Sequence, residues 1–314
     1  MLSIIVIGKN EAAHLPDCFS SIKRACSGIP HEIIYVDSGS TDESLSIASQ
    51  FARCCLVADP NPTPGLGRRI GSEEAKGDWL LFLDGDMRLE SGFLEQAFAA
   101  ADRTGSAAIT GIRHDIYYQA GKKVSENANY FHCITARAAI EFGGALLIRR
   151  EALTTSLGWS SDTIACEENE LHSRLIKYHL HVLELPVPMI IHSDAVQQNR
   201  SALSILLNRR HLGQGEAFRC AIAKGSLGAY LRFNCIWFLF YLFDVLSIIL
   251  LLCVHWLGLP LFCFFQALQL GYYMKRKIIR RYVSQKLFFF YFPAGCLTYH
   301  KRSLDYTVLT EGAN

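Results

Sequence analysis

Residues 79–86 read WLLFLDGD, a run of five apolar residues followed by Asp84, Gly85 and Asp86. A short apolar run that ends at a turn is typical of a strand buried inside a sheet. Along the first hundred residues, predicted strands alternate with predicted helices. The strands are at 3–7, 32–36 and 79–83, and the helices are at 12–22, 41–52 and 91–101. This alternation predicts an α/β domain over residues 1–220, Rossmann-like, with a mainly parallel sheet flanked by helices.

The 314 residues carry 31 basic and 29 acidic side chains, which gives a formal net charge of +2. Because no strong global charge is present, we expect no nucleic-acid partner. The eleven cysteines are odd in number and contain no C-x-x-C pair, and no signal peptide precedes the first strand. We therefore expect reduced thiols, and a secreted disulfide scaffold is excluded.

The composition changes after residue 220, and residues 221–314 are predicted to be a C-terminal membrane region. The stretch 235–274 is almost free of charge, and about 20 apolar residues suffice to cross a bilayer. The pattern predicts a helical hairpin with spans at about 235–254 and 258–274, joined near Gly258 and Pro260. Asp244 opposes the first span by about 2.5 to 3.5 kcal/mol, less than the summed gain from its apolar neighbours.

Basic residues follow the second span at positions 275, 276, 277, 280 and 281. Such a cluster favours the cytoplasmic face, so we expect an inner-membrane protein whose first domain faces the cytoplasm. The aromatic segment 287–292 is too short to span and is interpreted as interfacial. The alternative for the whole region is the buried helical core of a soluble domain.

In open α/β sheets, ligands bind beyond the carboxyl ends of the strands. Asp84 and Asp86 lie at such an end, and two neighbouring carboxylates need a counter-charge, which Mn²⁺ or Mg²⁺ can supply. A basic loop is predicted upstream, at 65–69. Its two glycines lack the third glycine of a dinucleotide fingerprint, so a nicotinamide-dependent oxidoreductase is not supported.

Other polar residues lie at similar positions. Asp37 follows a strand and either contacts a ligand or forms an ordinary Asx turn. Glu167, Glu168 and Glu170 are either a solvated helix N-terminus or include a general base with a raised pKa. His192 follows an apolar stretch at a predicted strand end, where a neutral imidazole could complete a metal site on Asp86.

Taken in order, these segments resemble the family 2 glycosyltransferases of the GT-A fold, in their membrane-anchored bacterial type. The resemblance covers about residues 1–215. It rests on an opening strand with Asn10-Glu11 and on four further stretches: VDSGSTDES at 36–44, GRRIGSEEAKGDWLLFLDGD at 67–86, GGALLIRREAL at 143–153 and EENELHSRL at 167–175. It implies an inverting transferase that uses a nucleotide-sugar donor, with a UDP-sugar favoured, and a Mn²⁺ or Mg²⁺ ion.

The resemblance also implies roles for individual residues. Asp37 would contact the nucleotide base, Asp84 would lie near the ribose, and Arg68 would help to hold the diphosphate. Asp86 would bind the metal, with His192 as a further ligand. The family's Glu-Asp pair is replaced here by Glu167-Glu168, so Glu168 is the predicted catalytic base, with Glu167 and Glu170 as alternatives.

The membrane region, read together with the resemblance, indicates a lipid-linked glycan as the acceptor. Two alternatives stay open: transfer to a polyprenyl phosphate, and a catalytically silent nucleotide-sugar-binding scaffold. Arg209 and Arg210, near the start of the membrane region, either contact a phosphate or form a solvated surface.

Overall fold

The computed structural model describes residues 1–119, 121–195, 206–275 and 279–309. Its strands are β1 Leu2–Gly8, β2 His31–Asp37, β3 Arg53–Val57, β4 Trp79–Asp84, β5 Met87–Leu89, β6 Ala108–Gln119, β7 Lys122–Asn127, β8 Arg137–Ala138, β9 Leu146–Arg149, β10 Val182–Ala195 and β11 Tyr306–Leu309. Its α-helices are α1 Leu15–Ala25, α2 Ser44–Ala48, α3 Pro64–Glu74, α4 Phe93–Thr104, α5 Arg150–Thr155, α6 Glu167–Lys177, α7 Gly213–Ala223, α8 Leu227–Phe233, α9 Cys235–Cys253, α10 His255–Lys275 and α11 Ile279–Thr298, and a 3-10 turn covers Arg209–Leu212.

The sheet is mixed, with the order β11-β3-β2-β1-β4-β9-β6-β10-β5. Strands β3, β2, β1 and β4 are parallel, as predicted. The other half is mixed, which corrects the expectation of a mainly parallel sheet: β6 and β10 are parallel, but β9 runs antiparallel to both β4 and β6, and β5 runs antiparallel to β10. Two apolar layers cover the faces: Phe19 and Leu94 pack on one, Ile70 and Leu171 on the other.

Strand β1 sets the geometry of the carboxyl edge. In the parallel register, Gly8 of β1 lies beside Asp37, and Ile7 lies beside Asp84. The carboxyl ends of β2 and β4 therefore flank the end of β1. The polar residues that follow these strands in sequence meet at one edge of the sheet.

The predicted basic loop at 65–69 is instead the start of helix α3. Thr63 caps this helix by accepting a hydrogen bond from the Leu66 amide at 3.1 Å, and Pro64 occupies its first turn. A Cβ at Gly71 would collide with Ile5 of β1, and one at Gly65 would collide with the Ser160 carbonyl. The glycines let the helix pack closely against the sheet.

The apolar region folds into three helices, of which the first two lie close to the predicted spans and the third contains the segment interpreted as interfacial. The break between α9 and α10 falls at Val254, and the predicted joint residues Gly258 and Pro260 lie inside α10. A Cβ at Gly258 would collide with the Leu251 backbone, so this glycine permits a close crossing of the two helices. Residues 287–292 lie within α11, where Phe288 packs against Trp237 with ring centroids 4.9 Å apart.

Asp244 is buried among these helices and is neutralised there. Lys286 of α11 donates to its Oδ2 at 2.8 Å, and the amides of Gln266 and Gln269 donate to its Oδ1 at 2.8 and 2.9 Å. A paired carboxylate is the form in which an acidic residue is tolerated inside an apolar bundle. The Asp244 carboxylate, which opposed the first predicted span, is therefore compensated by Lys286 of α11. The sequence analysis did not connect this helix with Asp244.

Among the described helices, only Cys235–Cys253 is long and apolar enough to cross a membrane. A single such helix is weak support, so the predicted hairpin anchor is not established. Arg276 and Lys277 of the predicted basic cluster lie outside the described residues.

The chain returns to the first domain after α11. Strand β11 pairs antiparallel with β3, and Arg302 binds Asp59 with a guanidinium-to-carboxylate distance of 3.1 Å. The Arg302 amide also donates to Asp162 at 3.0 Å. The predicted membrane region therefore supplies an edge strand of the sheet formed by residues 1–220.

Candidate functional site

Arg68 joins three carboxylates at the carboxyl edge of the sheet. Its Nη1 donates to Glu167 at 2.7 Å, its Nη2 donates to Asp84 at 2.8 Å, and Glu168 lies 3.7 Å from Nη2. The guanidinium is 2% exposed and lies over the Trp159 ring, 5.0 Å from its centroid. Arg68 thus provides Asp84 with a counter-charge that the sequence analysis had assigned to a metal ion. Its two terminal nitrogens, Nη1 and Nη2, are both bound to carboxylates of the protein.

The structure separates the three glutamates of the predicted base cluster. Glu170 is fully buried and makes a bidentate ion pair with Arg174, at 2.7 and 2.6 Å, so it faces the core and the prediction of Glu170 as an alternative base is wrong. Glu167 is buried against Arg68. The side chain of Glu168 is 30% exposed. Glu168 is therefore the best placed of the three to meet an acceptor.

Glu168 lines a cleft of about 250 Å³. The lining residues are Ile140, Glu141, Phe142, Cys166, Glu167, Glu168, Asn169, His172, Arg210 and Gln214. Burial, with Glu167 and Asp84 nearby, raises the pKa of Glu168 to about 7, although Arg68 opposes this shift. A carboxyl with such a pKa can accept a proton near neutral pH.

Two residues with a positive φ lie close to the Arg68 cluster. Gly144 has a φ of +84°, and a Cβ there would approach Asp84 Oδ2 to 2.7 Å. Cys166 precedes α6 with a φ of +67°, which is uncommon for a residue with a side chain. Helix α6 begins directly after this turn, and its first residue, Glu167, contacts Arg68. The N-terminus of a helix stabilises negative charge.

His192 bridges two aspartates on the other side of the site. Its Nε2 lies 3.1 Å from Asp86 Oδ2, and its Nδ1 lies 3.1 Å from Asp115 Oδ1. Burial alone would lower the pKa of His192, but the hydrogen bonds to Asp115 and Asp86 raise it to about 9. The residue lies within β10, three positions before its end, because β5 and β6 continue to pair with this strand.

The described residues contain no group of three or more histidine, cysteine or acidic side chains placed to hold a metal ion. Asp86 Oδ1 is nevertheless buried and has no hydrogen-bond partner. Mg²⁺ often binds through one or two carboxylates and completes its coordination with substrate phosphates. Asp86 fits that pattern. His192 Nε2 is already engaged with Asp86, and the raised pKa of His192 favours its protonated form, which would have to lose a proton to become a ligand.

Asp37 forms an Asx turn, which was one of the two alternatives that the sequence left open for it. Its carboxylate accepts hydrogen bonds from the amides of Gly39 and Ser40 at 3.0 and 2.8 Å, from the Ser40 hydroxyl at 2.6 Å and from the Tyr35 hydroxyl at 3.2 Å. The side chain is buried. Asp37 therefore orders the loop after β2, and its contact with a nucleotide base stays a prediction.

The sequence analysis assigned no role to Glu11, which it noted only as part of the resemblance, and it missed Arg113 and Asp115. Burial and the nearby Asp86 raise the pKa of Glu11 to about 7. Arg113 donates to Asp115 at 2.6 Å and also contacts His192 at 3.0 Å. Glu11 follows the central strand β1, a position that the strand-end rule could have identified. Arg113 and Asp115 lie inside β6 and carried no such signal.

Comparison with known proteins finds similarity in the first part of the chain. Residues 3–155 match the family model described as Glycosyl transferase family 2. A PGL/p-HBAD biosynthesis glycosyltransferase of Mycobacterium bovis is 42% identical over 91 residues, which cover 27% of this chain and 35% of that protein. Glycosyltransferase AglE of Haloferax volcanii is 27% identical over 136 residues, covering 41% of this chain and 44% of AglE. The chain thus spans less than half the length of these curated relatives.

Solved structures with the same fold include S. aureus TarS residues 1–349. The complex of TarS with UDP-GlcNAc gives a TM-score of 0.58 at 15% identity and covers 100% of this chain and 98% of that one. The UDP complex gives a TM-score of 0.56 at 17% identity, with 93% and 91% covered. At this level of identity the similarity supports a mixed α/β fold of the GT-A type.

Proposed function

Starting from the glycosyl transferase family 2 domain at residues 3–155, we propose that this protein transfers a sugar from a nucleotide-diphosphate sugar to a hydroxyl acceptor, with inversion at the anomeric carbon. The observation that carries the proposal is the arrangement around Arg68. It places Glu168 at an open cleft and connects it through one side chain to Asp84, two residues from Asp86. A base and a donor-binding edge lie next to each other in this arrangement.

The proposed donor is a UDP-sugar. TarS, which has a similar fold, has been crystallised with UDP and with UDP-GlcNAc. In this chain the nucleotide would lie along the edge formed by the loop of Asp37 and the end of β4. Asp84 is half-buried there, and its second carboxylate oxygen is available to a ribose hydroxyl.

In the proposed mechanism, Glu168 removes the proton from the acceptor hydroxyl. The acceptor oxygen then forms a bond to the anomeric carbon while the bond from that carbon to the nucleoside diphosphate breaks. His192 and Asp115 hold the Asp86 carboxylate in place. Mn²⁺ or Mg²⁺ on Asp86 would supply charge neutralisation for the departing diphosphate.

The first experiment measures nucleoside diphosphate release from a panel of nucleotide sugars by the detergent-purified full chain. With Mn²⁺ and a membrane lipid extract as acceptor source, we expect turnover of one donor. EDTA and Asp86→Ala should each lower it by about 10²-fold or more, since a metal contributes several kcal/mol at the transition state. Asp102→Ala, which removes a strongly exposed carboxylate on α4, is the matched control and should retain activity.

Two outcomes would contradict parts of this proposal. Turnover that persists in EDTA would exclude the metal. Tight nucleotide-sugar binding without turnover of any donor would favour the silent scaffold.

We further propose that the acceptor is a lipid-linked glycan and that the protein works at the cytoplasmic face of the inner membrane. The support is an exposed apolar stripe on α9 that faces away from Asp244 and Ser247. Its members are Leu239, Leu242, Leu246, Ile249 and Leu252. Their spacing of three and four residues puts them on one side of the helix.

Transfer to a polyprenyl phosphate is the second candidate, and the position of Arg210 favours it. Arg210 lines the cleft beside Glu168, whereas the exposed Arg209 is not among the lining residues. An arginine at this place could bind the phosphate of a lipid acceptor. Activity with polyprenyl phosphate as the sole acceptor would support this candidate.

Membrane association is tested by flotation of the full chain with vesicles that contain anionic lipids. Leu242→Glu combined with Leu246→Glu should abolish co-flotation, because each charge opposes insertion by about 2.5 to 3.5 kcal/mol. Ile134→Glu, at a residue that is 83% exposed outside the helical region, is the matched control and should still float. If the double variant floats like the wild type, or instead loses a homodimer, the stripe does not bind lipid.

A further inference from the structure

The turn that carries Glu168 is fastened to the start of the apolar helix α9 by a reciprocal amide pair. Asn169 Nδ2 donates to Asn234 Oδ1 at 3.1 Å, and Asn234 Nδ2 donates to Asn169 Oδ1 at 2.9 Å. Asn234 is 8% exposed and is the single residue between α8 and α9. Its Nδ2 also donates to the Tyr230 carbonyl at 3.0 Å, which fixes the orientation of the amide.

Ring contacts reinforce this junction. His172, one turn after Glu168 on α6, packs between Phe142 and Phe233, with ring centroids 5.6 and 4.7 Å apart. Burial lowers the pKa of His172 to about 4, so the ring is neutral at physiological pH and acts as a packing group. Phe233 immediately precedes Asn234, so the same junction contacts both of the first two turns of α6.

At its beginning, the first turn of α6 is held by the ion pair of Glu167 with Arg68 at 2.7 Å. Cys166 has a left-handed backbone conformation, and no side chain caps the helix. Glu168 lies 3.7 Å from Arg68, which is a longer and weaker contact than the ion pairs of Arg68 with Glu167 and Asp84. Glu168 therefore takes its position from the helix backbone more than from its own ion pair.

We propose that Asn169 and Asn234 are positioning residues that hold Glu168 at the acceptor cleft and couple its placement to the placement of helix α9. The pair does not touch the reacting atoms in this scheme. It acts by fixing the first turn of α6 against the residue from which the apolar helix starts. The kinetic part of this inference rests on the proposed function, with Glu168 as the base.

The coupling has a direct physical reason. A misplacement of about 1 Å at a catalytic group can cost about 10²-fold in rate. Asn234 is buried and Asn169 is half-buried, and each amide satisfies the other. The pair tolerates little displacement, because loss of Asn169 would leave the buried Asn234 amide oxygen without its partner. A change in the position of α9 at a lipid surface would therefore be transmitted to Glu168 through this junction.

The test is a double-mutant cycle with Asn169→Ala, Asn234→Ala and the double variant in the full chain. Each single variant should lower kcat about 10- to 100-fold with the donor KM unchanged, and the double variant should be no worse than either. The acid limb of the kcat–pH profile should move below pH 7, because a loosened Glu168 is more hydrated. The charged and titratable groups that face Glu168 are Arg68, Glu167, Asp84, Arg113, Glu141, Cys166, His172 and Arg210.

Gln285→Leu is the matched control. Gln285 is also a buried amide of the apolar helices, but its hydrogen bonds go to the Trp237 carbonyl and involve Tyr273, not α6. This variant should leave kcat and the pH profile unchanged even if it lowers the melting temperature. Additive losses in the cycle, or equal effects of Gln285→Leu, would overturn the positioning role.

Hydrogen exchange of the substrate-free protein separates failure of this inference from failure of the proposed function. Amides of residues 167–172 should be more protected in vesicles than in detergent for the wild type, and Asn234→Ala should abolish the difference. Exchange that is the same in both environments for the wild type would overturn the coupling, whether or not the protein proves to be a transferase.

Discussion

Glu168→Gln is expected to lower kcat by about 10²- to 10⁴-fold while leaving nucleotide-sugar binding nearly unchanged. The neutral amide keeps the shape of the side chain but cannot take the proton of the acceptor hydroxyl. Single-turnover transfer and donor binding by calorimetry would measure the two quantities separately. A loss confined to kcat identifies an interaction made only in the transition state.

The pH dependence gives this prediction a second readout. The base must be ionised, and the pKa of Glu168 is raised to about 7, so wild-type activity should fall as the pH drops through about 7. In Glu168→Gln that acid limb should disappear from the residual activity. If the variant keeps activity within about threefold of the wild type, another group is the base.

Glu170→Gln is the informative comparison on the same helix. Glu170 is buried against Arg174 and does not reach the cleft, so its loss should reduce thermal stability. The folded fraction of Glu170→Gln should still turn over at a rate close to that of the wild type. Similar kinetic losses in both variants would mean that the helix, and not the Glu168 carboxylate, determines the rate.

Arg68→Met is expected to cause the largest loss of stability in the domain, about 3 kcal/mol. The substitution leaves Asp84, Glu167 and Glu168 close together without their shared counter-charge. Breaking a buried ion pair by removing one partner typically costs about 3 to 5 kcal/mol. We take the lower end because Asp84 and Glu168 are each about one-third exposed.

The effect should depend on pH in a defined direction. Burial already raises the pKa values of Asp84 and Glu168 in the folded state, and Arg68 opposes that rise. Without Arg68 both pKa values should rise further above their unfolded values, so the folded variant binds more protons than the folded wild type. The stability deficit should then be larger at pH 8 than at pH 5. Thermal melting of wild type and variant at both pH values measures it.

Arg69→Met is the adjacent control. Arg69 is one-third exposed and only 4.0 Å from Glu73, a surface contact of little energetic weight. Its removal should change stability by less than about 0.5 kcal/mol. Equal losses for Arg68→Met and Arg69→Met would show that the buried cluster does not depend on its central charge.

Much of the parallel half of the fold could be predicted from short-range pattern. The apolar run before Asp84 and the similar runs at β1 and β2 specify buried strands by periodicity alone. Asp84, Asp86 and Glu168 were found because they follow strands or begin a helix, positions that are visible in sequence. The segment 65–69 was misassigned because its glycines suggest a loop, whereas they serve close packing: Gly65 against the Ser160 carbonyl and Gly67 against Ile7 of β1.

The antiparallel half and the inner contacts of the site were not predictable in the same way. Strand β9 is only four residues long, and β11 lies about 250 residues from its partner β3. Asp115 and Arg113 lie within a strand whose local pattern carries no catalytic signal. In the sequence, Asp244 was counted as unfavourable for membrane insertion, because Lys286, which neutralises it, is 42 residues away.

The sequence by itself determined which residue types stand at the strand ends, and therefore the candidate carboxylates and the family that they resemble. Only the tertiary structure decided how those charges are divided: Arg68 binds the acidic cluster, Glu170 turns into the core, and Glu168 is left at the cleft. Hydrophobic periodicity is a local property, so it can be read along the chain. The partner of a buried charge is set by folding distant segments together, because a charge can be buried only where another element supplies its counter-charge.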